Sequence, residues 1–333
     1  MSSTSSSSSW SRIALGTGAV LGSAYAGLAA ARWRVHRSLP PPPSLPPALD
    51  WSTGVLESPW GPLHYYVRPG SGPPIVLLHS FNAAASPYEM KPLAEHFAAT
   101  TDRPLYALDW LGFGRSGRAA VSYRPALYHH QLFHMLTEVV DAPADLVALS
   151  LGAEYAARAG LQAAPHVRRL ALLSPTGLAS ARGPSPLGRL GLSLAGQTGV
   201  FELLFYRLTR PASLRDYYER QVFLDPSEVP ADLIEYAYTT SHARGAHRAP
   251  RRFVDGSLFL KTVADAVYAR LYRPTLLLTP EQPGPTVQQF DLLPRVLDRA
   301  SGPLRHVTLP GGLMPHWEAP TPCLDALDAF LEA

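Results

Sequence analysis

From about residue 50 onward, short uninterrupted apolar runs alternate with longer stretches of helical period. "PPIVLLHS" has the character of a strand buried on both faces, "RPLYALDW", "ADLVALS", "RRLALLSP", "RPTLLLT" and "LRHVTL" read as further strands, and "GPLHYYVRPG" reads as a strand ending in a turn. "PYEMKPLAEHFAA", "ALYHHQLFHMLTEVV", "LGAEYAARAGL", "TVQQFDLLPRVLDRA" and "CLDALDAFLEA" carry apolar positions at helical spacing. Such alternation predicts an α/β fold, a mostly parallel sheet with helices on both faces. Residues 178–270 break the rhythm. Their apolar pieces, "GVFELLFYRL" and "ADLIEYAYTTSHA", are helical, and none has the look of a buried strand. The pattern therefore predicts a core formed by residues 50–177 and 271–333, with an inserted helical lid over 178–270. No internal repeat is visible.

The first 49 residues follow another pattern. A serine-rich tail over 1–12, expected to be disordered, precedes nineteen uncharged positions, 13–31. That length suits a single membrane-spanning helix. Arg32, Arg34 and Arg37 behind it, against Arg12 in front, point to a membrane anchor with the following domain on the cytoplasmic side. The basic, proline-rich residues 32–49 would then be a stiff spacer. Two other readings fit the same residues: a secretory signal cleaved at "AYA" or "AAA", and a disordered tail. Gly18 and Gly22 form a GxxxG pair that would allow two such helices to approach closely, though chance explains it as well.

Composition adds limits. Hydrophobic residues make up 46% and charged residues 17%, as in a globular protein with an apolar bias. The net charge of +3 comes from the tail: without its four arginines the chain has 25 basic against 26 acidic residues. Nucleic acid is therefore not an expected partner. Cys323 stands alone, which rules out an intramolecular disulfide framework.

One serine stands where chemistry is expected. In "ADLVALSLGAEYAARAG", Ser150 falls between a strand and a helix, in the frame Ala148-Leu149-Ser150-Leu151-Gly152. A nucleophile on such a sharp turn needs small residues two places away on each side, and Ala148 and Gly152 satisfy that. The same serine could merely cap the helix. Upstream, "PPIVLLHSFNAAASPYEMKPLAEHF…RPLYALDWLGFGRSG" resembles the front half of the alpha/beta hydrolase family. His79 and Ser80 occupy the family's His-Gly position, and Asp109, Gly112, Gly114 and Ser116 match its next segment. The resemblance extends over residues 50–333 and implies the alpha/beta-hydrolase fold. It also implies an oxyanion hole from the backbone N–H groups of Phe81 and Leu151, with Asn82 as a further side-chain donor, and a purely loop-shaping role for His79.

The remaining catalytic positions depart from the family pattern. The acid should follow "RPTLLLT", but "TPEQPGP" has no aspartate, which leaves Glu281. The usual histidine position in "LPGGLMPHWEAP" holds Leu313, and His316 comes three residues later. Two functions are compatible with these residues. The first is a serine hydrolase acting on an apolar ester or transferring its acyl group, with Ser150 as nucleophile, His316 as base and Glu281 orienting it. The second is a catalytically impaired member that binds a lipid-like ligand under its lid. Neither a metal nor an organic cofactor is expected. His130 and His134 are spaced as in zinc-binding helices but lack the accompanying glutamate. The basic cluster His242, Arg244, His247, Arg248, Arg251 and Arg252 could meet an anion or face solvent. The lid aromatics Phe201, Phe205, Tyr206, Tyr217, Tyr218, Tyr236 and Tyr238 could roof a pocket or pack the lid itself.

Overall fold

All six apolar runs become strands of one sheet. The computed structural model describes residues 23, 26–180, 188, 191, 195, 196, 199–281 and 289–332. Its eight strands are β1 (Ser52–Leu56), β2 (Leu63–Arg68), β3 (Ile75–Leu78), β4 (Leu105–Leu108), β5 (Ala144–Leu149), β6 (Val167–Leu173), β7 (Thr275–Pro280) and β8 (Leu304–Leu309). They lie in the order β1-β2-β4-β3-β5-β6-β7-β8. The neighbours from β4 through β8 pair in parallel, and only β2 runs against the rest.

Strand side chains point alternately to the two faces, so a strand covered on both sides must be apolar throughout. Along β5, Leu146 and Ala148 enter one core while Val147 and Leu149 enter the other. Val76 and Leu78 of β3 divide from Ile75 and Leu77 in the same way. Two helices, Pro125–Met135 and Leu151–Gln162, cover the first face through Leu127, Tyr128, Leu132, Tyr155 and Ala156. The helix Lys91–Thr100 and the last helix, Pro320–Leu331, cover the second through Leu93, Phe97, Cys323 and Leu327.

Between β6 and β7 the described residues form helices and no strand: Val200–Leu208, Pro211–Tyr217, Ala231–Ser241, Arg248–Val254 and Val263–Ala266. Several sequence-predicted helices are shorter than their apolar pattern. Pro92 and Pro294 each stand in the first turn of their helix, where the missing N–H is harmless, and so fix its start.

The expected membrane anchor requires correction. No helix among the described residues is long and apolar enough to cross a membrane. Residues 1–22, which hold much of the 13–31 stretch and its GxxxG pair, lie outside the described residues. What is described of the stretch belongs to a helix over 26–38 that packs on the body of the protein: Arg32 Nε lies 2.9 Å and His36 Nε2 2.6 Å from the buried Glu202 carboxylate. The proline run behind it is likewise docked. Pro40 O accepts from Arg244 N at 2.9 Å, Pro46 O accepts from the Tyr236 hydroxyl at 2.9 Å, and Leu39, Leu45 and Leu49 are buried.

Candidate active site

The turn after β5 has a strained backbone. Ser150 has φ 56° and ψ −119°, a region that costs a non-glycine residue about 1–3 kcal/mol. Its N–H donates to Leu173 O at 2.9 Å, and its carbonyl accepts from Ala153 N at 3.1 Å. Ala148 before it is fully buried. Gly152 behind it is obligatory by contact: a Cβ there would stand 2.5 Å from the His79 carbonyl oxygen. Helix propensity favours Gly152→Ala by up to about 1 kcal/mol, but overpacking against backbone costs about 1–3 kcal/mol. The expected outcome is a net loss of stability, read as a lower denaturant midpoint.

The loop after β3 is held from below. His79 is fully buried, and burial lowers its pKa to about 3, so the ring is neutral. Its Nε2 accepts from Trp110 N at 3.2 Å, which leaves the proton on Nδ1 to be donated to Ser80 O at 2.7 Å. Both ring nitrogens are thus committed to backbone. Phe81 packs among Trp110, Phe113, Tyr128 and Tyr155, with ring centroids 4.8 to 5.4 Å away. Asp109 and Ser116 brace the same corner: the Ser116 hydroxyl donates to Asp109 O at 2.6 Å and accepts from His64 N at 2.8 Å. A Cβ on Gly114 (φ +48°) would overlap the Asp109 carboxylate.

Ser150 opens into a cavity of about 130 Å³ whose walls include Phe81, Tyr218, Val222, Leu313 and Met314. The Tyr218 hydroxyl is buried without a hydrogen-bond partner. A second cavity of about 590 Å³ shares Asn82, Tyr217, Tyr218 and Phe253 with the first and continues along Leu208, Leu214 and Val254. The two cavities adjoin at these four residues, and both are lined mainly by apolar side chains. Leu151, the first residue of the helix Leu151–Gln162, has an N–H with no carbonyl to bond inside the helix. No backbone carbonyl among the described residues takes the Phe81 N–H.

Ser150, Phe81 and Asn82 line the serine cavity together, and Leu151 directly follows the serine; His316 and Glu281 make other contacts. His316 sits in a one-turn helix, Pro315–Glu318, and is fully buried. Its Nε2 donates to the Glu89 carbonyl at 2.7 Å, and Trp317 Nε1 donates to the same oxygen at 2.7 Å. Burial lowers the His316 pKa to about 4, and its Nδ1 has no hydrogen-bond partner. Glu281 is exposed at the end of β7, with its N–H on Leu309 O. Neither side chain lines the serine cavity. The residue that does is Leu313, fixed there because its N–H donates to Val222 O at 2.7 Å. Asn82 is also otherwise engaged: its Nδ2 donates to Glu89 Oε1 at 2.7 Å and to Ser80 Oγ at 3.1 Å.

Glu89 is the functional candidate that the sequence did not disclose. It is 2% exposed and lines the serine cavity. Its carboxylate accepts from Ser80 N at 2.9 Å, Ser80 Oγ at 3.0 Å and Asn82 Nδ2 at 2.7 Å. Burial raises its pKa to about 7 against those three bonds. A carboxylate offers about four acceptor sites, so one remains. Among the described residues no cluster of side chains suits a metal ion, and His130 instead stands edge-on to Trp60 at 5.0 Å.

No curated protein matches the sequence. Solved structures of low identity share the fold. The enol-lactonase from Burkholderia xenovorans is 16% identical over 84% of this chain and 100% of its own, with a TM-score of 0.63. An esterase from Thermogutta terrifontis is 16% identical over 84% and 98%, with a TM-score of 0.63. A probable hydrolytic enzyme from Pseudomonas aeruginosa is 20% identical over 86% and 96%, with a TM-score of 0.64. The family model described as "Alpha/beta hydrolase family" matches residues 75–326, most of the sheet and all of the elbow and its loop. The chain belongs to the alpha/beta hydrolase family.

Proposed function

We propose that this protein hydrolyses, or transfers the acyl group of, an apolar ester, with Ser150 as nucleophile and Glu89 as the group that accepts its proton. The observation that carries this reading is the strained Ser150 turn facing a mainly apolar cavity. A serine held there projects towards substrate, whereas an ordinary helix cap needs no such backbone. In the reaction Glu89 takes the hydroxyl proton as Oγ bonds to the acyl carbon. The charge on the carbonyl oxygen falls to the Phe81 and Leu151 amides. Collapse returns the proton to the departing alkoxide. Water or another acceptor, deprotonated by Glu89, then releases the acyl group and restores Ser150. A carboxylate with a pKa near 7 suits both directions of that transfer. Esterase and lactonase activities belong to the structural relatives, and identity below 25% supports only the shared scaffold.

A ligand-binding role without turnover is the second reading, favoured by Leu313 on the cavity wall. A fluorophosphonate probe separates the two. The expected result is one covalent adduct per chain, found by mass spectrometry on the peptide containing Ser150 and lost in Ser150→Ala. Wild-type protein that stays unlabelled between pH 6 and pH 9 leaves the binding role.

A further inference from the structure

The basic cluster of the inserted helices converges on a third cavity, of about 380 Å³, that Ser150 does not line. Arg32 from the N-terminal helix and Arg248, Arg251 and Arg252 from the helix Arg248–Val254 line it, with His247 and Glu202. The cations are unequally compensated. Arg32 pairs with Glu202 at 2.9 Å, and Arg252 pairs with Asp255 at 2.8 Å. Arg248 donates to the Arg118 backbone carbonyl. Arg251 has no carboxylate partner among the described residues, and its Nε is buried without an acceptor. The backbone makes room for it: a Cβ on Gly196 would lie 2.0 Å from the Arg251 Cζ. His247 Nδ1 is a further buried polar atom without a hydrogen bond, 3.8 Å from the Glu202 carboxylate. A buried guanidinium N–H without an acceptor is costly, and planar guanidinium groups match the oxygens of phosphate in pairs.

We propose that this cavity is an anion site that binds a phosphate group, with Arg251 as its principal contact and Arg248 and Arg252 beside it. The site lies apart from the serine: Arg251 and Arg252 face the anion cavity, while the next residue, Phe253, lines the serine cavity. The phosphate could belong to a soluble ester or to a lipid headgroup, and the two sources differ only in what extends beyond the anion.

Calorimetric titration of the full chain with phenyl phosphate and with short-chain phosphatidic acid below its micellar concentration tests the assignment. Expected are saturable binding with one site per chain, weakening as chloride is raised, and a loss of affinity of at least about tenfold in Arg251→Gln. Arg251 makes no ion pair among the described residues, so the variant should melt with the wild type. Arg305→Gln, an exposed arginine on β8, should leave binding unchanged. Equal affinities for the two probes assign a soluble phosphate ester, and a preference of about tenfold or more for phosphatidic acid assigns a headgroup. Absence of saturable binding to both probes overturns the site, as does undiminished binding in a folded Arg251→Gln protein.

Discussion

Glu89→Gln should slow fluorophosphonate labelling of Ser150 by at least about 100-fold, the usual contribution of a positioned base. The same substitution should make the protein more stable above pH 7. Burial holds the Glu89 carboxyl at a pKa of about 7, above its ordinary 4.5. A carboxyl raised in the folded state supports folding while protonated. That support is complete below about pH 4.5 and is lost as pH rises through about 7. The difference corresponds to about 3 kcal/mol, of which an amide at position 89 recovers part, since Asn82 Nδ2 loses its acceptor. Denaturant midpoints at pH 5 and pH 8.5 should therefore diverge between variant and wild type only at the higher pH. Labelling of the wild type should rise with pH through about 7, as the base loses its proton. A Glu89→Gln protein labelled at the wild-type rate would remove Glu89 from the reaction.

His316→Ala should destabilise the fold by about 2–4 kcal/mol yet leave the folded protein reactive. The ring is fully buried and supplies one of two donors to the Glu89 carbonyl, so its removal opens a cavity and weakens a buried bond. His316→Gln can return an amide N–H to that carbonyl and should recover part of the stability. If His316 were instead the base, both variants would lose labelling by several orders of magnitude, as triad deletions do. Retention of the wild-type labelling rate within a few-fold in His316→Gln, together with a lowered melting temperature in His316→Ala, is the expected pair of results.

These two residues also mark where the sequence stopped being legible. The strands could be read because burial on both faces forces apolar runs such as Ile75–Leu78 and Ala144–Leu149. The Ser150 turn could be read because Gly152 must clear the His79 carbonyl, a local demand with a local signature. Glu89 could not: in "PYEMKPLAEHF" a glutamate has the look of a solvated helix position, and the His316 and Trp317 rings that hold its backbone carbonyl lie 227 and 228 residues along the chain. His316 was correctly placed after the last strand by chain order. Its direction, however, is set by the short Pro315–Glu318 turn, which carries the imidazole towards the Glu89 backbone. The first strand, Ser52–Leu56, gave no apolar run because it is an edge strand with mostly exposed positions. The N-terminal arginines have the look of flanks of a bilayer span, because the buried carboxylate that receives Arg32 lies 170 residues away.

The docked proline segment redraws the outline of the folded unit. The family match begins at residue 75, yet Leu39 fills a hollow beside Phe205, Tyr206 and Ala246, and Ala48 and Leu49 join the core on the other side of the chain. The inserted helices are thus clasped by a strap from the amino end, tied at Arg244 and Tyr236. A fragment trimmed to the family boundary would leave that hollow open to water. Tyr217 and Phe253, which line the serine cavity, stand in the helices just before and just after those two ties.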